Sequence, residues 1–243
     1  MASRPRGSIL DDPSGAPRPD GAPPAPPAPV LPRPWVSYAL IASAVGLFLL
    51  EEFGQVPMLA PPESPLGSRV GPMALYGPLV QAGGYWRMLG ATFEHGNGLH
   101  LLFNMSVVLT LGFTLERGIG SLRFLGVSLV TALGASAFSL LFNFDVTTVG
   151  ASGMILGWAG AMLPIATREG RRELLTWLVQ VAILSLLPFV SWAGHLGGFL
   201  FGLPCGLALR MGRGVFARAL PIILFLTLVV ALFAAHPERR GGL

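Results

Sequence analysis

A polytopic all-α membrane bundle is the fold class this sequence predicts, on three observations. First, of 243 residues 52% are hydrophobic and only 12% charged, with a mean hydropathy of +0.65; an ordinary soluble domain is about a quarter charged. Second, the apolar residues gather into seven runs, at about Trp35–Leu50, Leu99–Leu115, Leu122–Phe142, Ser152–Ala166, Leu174–Val190, Trp192–Leu209 and Val215–Ala235. A membrane-spanning helix takes roughly 17–25 residues, which all but the fourth run reach or approach. Third, the arginines of the short connections fall on alternate sides of these runs, as the positive-inside rule requires.

The composition also excludes other classes. The 16 basic residues are all arginine, and a net charge of +4 is too small and too scattered for a nucleic-acid surface, despite a pI near 10.2. The single cysteine, Cys205, excludes an internal disulfide and any cysteine-based metal cluster.

Residues 1–34, rich in Pro, Ala and Gly and without an apolar run, read as a disordered cytoplasmic tail with no cleavable signal peptide. With the N-terminus inside, the inner connections hold Arg117 and Arg123, then Arg168, Arg171 and Arg172, then Arg210, Arg213 and Arg218. The short outer connections, Asn143–Gly150 and Pro188–Trp192, hold none; Arg239 and Arg240 in the outer tail, residues 236–243, are the exception. The outer loop 51–98 is long, with many prolines and with Met73, Leu75, Tyr85 and Trp86. Loops of this length are usually functional, and its mixed content suits the membrane interface.

Polar groups inside the bilayer are costly, so each is a functional candidate. His100 and Asn104 are four apart near the start of the second run and share a helix face, below a cap at Asn97-Gly98. The fourth run opens with Gly150-Ala151-Ser152-Gly153, and the sixth carries His195 in its first turn. The charge-derived topology places His100, Asn104, Ser152 and His195 at the outer ends of three helices. Gly153 and Gly157 on the fourth helix, and Gly198, Gly202 and Gly206 on the sixth, repeat at one-turn spacing and let two backbones approach. A neutral imidazole can then take the proton that makes a serine hydroxyl nucleophilic. The Ser152 N–H at a helix start, the Asn104 amide and the His100 ring are donors for an oxyanion. No acidic residue fits a third position, so a Ser–His dyad is expected. The fourth run, too short to cross the hydrocarbon, predicts a sunken, water-filled cavity open to the outside. Packing alone is the bland account of Ser152 and the glycines. A metal at His95, His100 and His195 lacks a carboxylate partner and any His-Glu-x-x-His sequence. His236, in the tail, is read as incidental.

These residues resemble the rhomboid family of intramembrane serine proteases over about Trp35 to Met211. The resemblance rests on Trp86-Arg87, the His100…Asn104 pair, Glu116-Arg117 (often Glu-x-Arg in the family), Gly150-Ala151-Ser152-Gly153, and His195 with Gly198 and Gly202. It implies that Ser152 is the nucleophile and His195 the general base. His100 and Asn104 would bind the oxyanion with the Ser152 N–H, and His95 would be structural. It further implies a six-span core, residues 35–211, and makes 215–235 an additional seventh transmembrane helix.

The expected function is therefore an intramembrane serine endopeptidase that cuts transmembrane protein substrates near their outer ends. No cofactor, metal or nucleic acid is expected, and the expected location is a bacterial plasma membrane. The alternatives are a rhomboid-like protein that binds membrane clients without cutting them, or an ion pathway.

Overall fold

Pro34 and Gly54 bracket the first apolar helix: proline cannot donate into a helix, and no second proline intervenes between them. The computed structural model describes residues 31–54, 71–188 and 190–238, and the described residues from Pro32 onward form one unit. Most of the tail expected at residues 1–34 lies outside the described residues.

Helix α1 runs Trp35–Phe53, α2 Gly77–Gln81 and α3 Arg87–Gly90. Helix α4 (Gly98–Val107), a π-helical turn (Val108–Gly112) and α5 (Phe113–Ile119) continue one another as a single rod. Then follow α6 (Ser121–Phe142), α7 (Ser152–Met162), α8 (Arg168–Leu184), α9 (Trp192–Arg210) and α10 (Arg213–Ala234). Among the described residues, five helical stretches are long and apolar enough to cross a membrane: α1, the α4–α5 rod, α6, α9 and α10.

The short α7 is the centre of the bundle. Its residues from Gly153 to Ala161 are all buried, and it packs between α6 and α9. Trp158 is fully buried, stacks on Phe124 and donates its indole N–H to Ser128 Oγ at 3.0 Å. Such a satisfied indole fixes how α7 is rotated against α6.

At the far end, Glu116 is buried and its carboxylate accepts from the Val36 N–H (2.9 Å), the Ser37 N–H (2.8 Å), Ser37 Oγ (2.7 Å) and Ser121 Oγ (2.5 Å). Two of the first-turn N–H groups of α1, which have no partner within their own helix, are thereby satisfied by a negative charge at the positive end of the dipole. Arg117, its neighbour, is exposed, with its guanidinium 5.2 Å from the Phe113 ring centroid.

Several expectations need correction. The fifth run, read as Leu174–Val190, is helical from Arg168 to Leu184. Thr167 starts it early by accepting the Gly170 N–H at 3.1 Å, and Glu169 sits in the first turn. Pro188 stops it early, because it has no N–H to donate to the Leu184 carbonyl four residues before it and its ring would clash there. With its charged first two turns, α8 is absent from the five apolar stretches. The loop read as 51–98 begins at Gly54, since Glu51 to Phe53 complete α1. Its part from Gly71 onward carries α2 and α3 and is held on the bundle. Leu75 and Thr148 exchange backbone bonds of 3.0 and 2.9 Å, the Gly77 N–H donates to Phe144 O (2.9 Å), and Ser136 Oγ donates to Met88 O (2.6 Å). His236 is not incidental. Its Nε2 lies 2.8 Å from Tyr85 Oη and its Nδ1 3.0 Å from Glu238 Oε1, while Gln81 Nε2 donates to Glu238 Oε2 (2.6 Å). Helix α10, which packs along α6 and α9, thus ends in a clasp on the loop.

Candidate active site

Four elements bring their ends together. Asn97 caps α4 by accepting the His100 N–H at 2.9 Å, which sets His100 and Asn104 on the face toward α7. Ser191 caps α9 by accepting the Gly194 N–H at 3.3 Å, so His195 occupies the first turn. Ser152 is the first residue of α7, where backbone N–H groups have no acceptor in their own helix. Gly150 ahead of it has φ +115°, a conformation open to glycine at no steric cost, and its N–H donates to Ala91 O at 2.8 Å.

Glycine then decides how closely α7 and α9 approach. A Cβ on Gly198 would overlap the Gly153 carbonyl, and one on Gly202 would overlap the Gly157 carbonyl. Only bare backbone permits such contact. It carries His195 onto Ser152: Nε2 lies 2.8 Å from Ser152 Oγ, and both residues are half-buried rather than sealed. The pair is within the reach expected of a nucleophile and its base.

The donors predicted for an oxyanion border the same spot. A Cβ on Gly150 would meet the His100 ring at 2.6 Å and Asn104 Nδ2 at 3.5 Å, so both side chains face the turn that leads into Ser152. Asn104 is buried, and its Nδ2 has no hydrogen-bond partner among the described residues. A buried amide donor left unpaired is costly unless something else receives it.

His95 is buried behind this wall. Its Nδ1 is 3.1 Å from Phe93 O, and its ring meets that of His100 edge-on at 5.1 Å between centroids. Burial, then the charge of His100, push it down to about 4, partly opposed by the Phe93 bond, so this loop imidazole is neutral near pH 7. Trp86 is exposed, whereas Arg87 is buried, donates from Nη1 to Ala74 O at 3.0 Å, and lies 5.6 Å from the Trp86 ring centroid. Of these and the Glu116-Arg117 pair, Arg87 and Glu116 tie separate segments together through their hydrogen bonds.

Two features were missed in the sequence. Glu94 is buried in the loop and accepts the N–H groups of Gly71 and Met73, the latter at 2.8 Å. Burial, reinforced by the charge of Glu51, pushes its carboxyl up to about 7 against those bonds. An acidic residue followed by a buried loop histidine was the available signal. The second is Ser185, the C-cap of α8, whose Oγ lies 2.7 Å from His195 Nδ1 and also donates to Val181 O at 2.7 Å. Reading the fifth helix too far along the chain placed Ser185 in mid-helix and hid it.

A family model described as a Rhomboid domain matches residues 82–212. The chain is similar to RHOMBOID-like protein 7 of Arabidopsis thaliana, 32% identical over 185 residues, 72% of this chain and 58% of the relative. It is similar to Rhomboid-like protease 1 of Toxoplasma gondii, 34% identical over 147 residues, 55% of this chain and 50% of the relative. Rhomboid protease AarA of Providencia stuartii is 29% identical over 175 residues, covering 57% of this chain and 62% of that protein. The chain thus spans between half and 62% of the length of these curated relatives. Since the family match takes in more than half of the 243 residues and the helices are those of a bilayer-spanning bundle, this chain is an integral membrane protein that belongs to the rhomboid family.

Proposed function

We propose that this chain is a serine endopeptidase that hydrolyses peptide bonds in or near the transmembrane segments of other membrane proteins. The observation that carries the reading is the 2.8 Å approach of Ser152 Oγ to His195 Nε2 at the start of α7. Relatives that bear the name protease support it.

In this mechanism Ser152 Oγ attacks the scissile carbonyl carbon as its proton passes to His195 Nε2. The carbonyl oxygen becomes an oxyanion, received by the Ser152 N–H, Asn104 Nδ2 and the His100 ring. Collapse of the tetrahedral intermediate breaks the C–N bond, and the departing amine takes the proton from Nε2. Water then attacks the acyl-enzyme and gives a proton to Nε2; that proton passes to Ser152 Oγ as the Oγ–C bond breaks, and the product acid leaves as its carboxylate. A substrate helix presents its carbonyls to itself, so it must unwind before attack; Gly, Pro and other weak helix formers near the bond favour cleavage.

The arginine distribution supports a cytoplasmic N-terminus, which turns the site toward the outer face. The family resemblance supports lateral access for substrate beside α8. Purified protein with a labelled single-span substrate yields a cut that vanishes in Ser152→Ala and His195→Ala, and wild type reacts with a fluorophosphonate probe. A folded wild type that neither cuts nor labels supports client binding without cleavage instead. Equal cutting by Ser152→Ala removes the assignment altogether.

A further inference from the structure

Among the described residues, Ser185 lies against the ring nitrogen of His195 that faces away from Ser152 and takes no part in the proposed bond-making steps. Its Oγ sits 2.7 Å from His195 Nδ1 and 2.7 Å from the Val181 carbonyl. A serine hydroxyl carries one hydrogen and two lone pairs, whereas a carbonyl oxygen can only accept. The hydrogen therefore goes to Val181 O, which leaves an Oγ lone pair facing the ring. Nδ1 must then carry the imidazole proton and donate it. That choice strips Nε2 of hydrogen, and Nε2 is the nitrogen 2.8 Å from Ser152 Oγ. Were Ser185 to donate to Nδ1 instead, Nε2 would hold the proton and could not accept one from Ser152, and Val181 O, which also accepts the Ser185 N–H at 2.8 Å, would be pressed against an Oγ lone pair at 2.7 Å.

We infer that Ser185 is a positioning residue for His195: it selects the Nδ1–H tautomer and aims Nε2 at Ser152, the task an acidic residue performs in a three-residue arrangement. This rests on the protease reading. Ser185 is buried, so water competes poorly for the bond. It caps α8, a helix in which Leu174 is the single buried residue, so the seating of α8 controls the base. A neutral hydroxyl stabilises the imidazolium formed during attack less than a carboxylate does, yet adds no second buried charge beneath the bilayer surface.

The test combines kinetics with a direct view of the ring. Ser185→Ala lowers kcat about fivefold to tenfold, the size of one neutral hydrogen bond, with KM within about twofold. Ser185→Thr, which returns the hydroxyl, restores kcat to within about threefold of wild type. In full-length protein labelled with 15N-histidine, His195 of the wild type shows a protonated Nδ1 and a bare Nε2. Ser185→Ala shifts it toward the other tautomer. A wild-type ring protonated on Nε2 overturns the inference, whether or not the alanine variant folds. So does an unchanged kcat in a folded Ser185→Ala protein. The tautomer is read without substrate, so a failed protease assignment, seen as cutting by Ser152→Ala, is told apart from failure of this inference.

Discussion

Gly198 of α9 rests against the carbonyl oxygen of Gly153 of α7, with no side chain between the two backbones. Ser152 precedes that carbonyl and His195 lies one turn before Gly198, so this contact sets the spacing of the proposed dyad. Gly198→Ala forces a Cβ into backbone that cannot swing aside. It is expected to cost about 2–3 kcal/mol in unfolding measured in detergent, and to suppress fluorophosphonate labelling. Gly118→Ala, in α5, meets nothing within 4 Å and is expected to be neutral or slightly stabilising. Equal behaviour of the two variants contradicts the close approach.

Asn104 separates chemistry from folding. Its Nδ2 makes no bond among the described residues at rest, so Asn104→Ala removes a donor that substrate would use in the transition state. The expected result is a kcat lowered by roughly 100-fold with KM and thermal midpoint little changed. A parallel fall in midpoint and rate would make the amide a packing residue.

Glu94 links the loop ahead of α4 to pH. Its ordinary value of 4.5 is raised to about 7 in the fold, chiefly by burial and next by the charge of Glu51. The folded state then holds this proton more tightly than the unfolded chain, so the stabilisation is complete below about 4.5 and is lost as pH rises through about 7. Limited proteolysis of the loop is expected to quicken between pH 5 and pH 8, a range set by that interval. Glu94→Gln, which cannot ionise, flattens the dependence. A loop that loosens equally in the glutamine variant places the effect elsewhere.

Glu116 holds the opposite end of the bundle. Glu116→Ala leaves the buried Ser37 N–H and the partly buried Val36 N–H without their acceptor. Each such loss costs about 1–3 kcal/mol, so a marked drop in thermal midpoint is expected with the Ser152–His195 pair still reactive in the surviving folded fraction. Loss of probe labelling at full stability would tie Glu116 to the site instead.

Much of this molecule was written in its linear pattern. The apolar runs marked α1, the α4–α5 rod, α6, α9 and α10, because length and hydropathy are properties of consecutive residues. Gly150 to Gly153 and the glycine spacing on α9 pointed to Ser152 and His195, since a one-turn repeat defines a face before any partner is known. Asn97 and Ser191 act locally, within three residues of the N–H groups they cap.

What the chain order concealed was how far each helix is shifted along its neighbour. Thr167 and Pro188 set α8 closer to its N-terminus than its apolar run, which leaves Ser185 at its end, against His195. Glu94 and the clasp between Tyr85 and His236 join segments far apart in sequence, with partners chosen by where the loop and α10 come to rest. Hydropathy and periodicity state that a face will be buried, a one-dimensional fact carried by each segment alone. Which polar atoms then meet across that face depends on axial shift and rotation, and these are settled by the packing of all the helices at once.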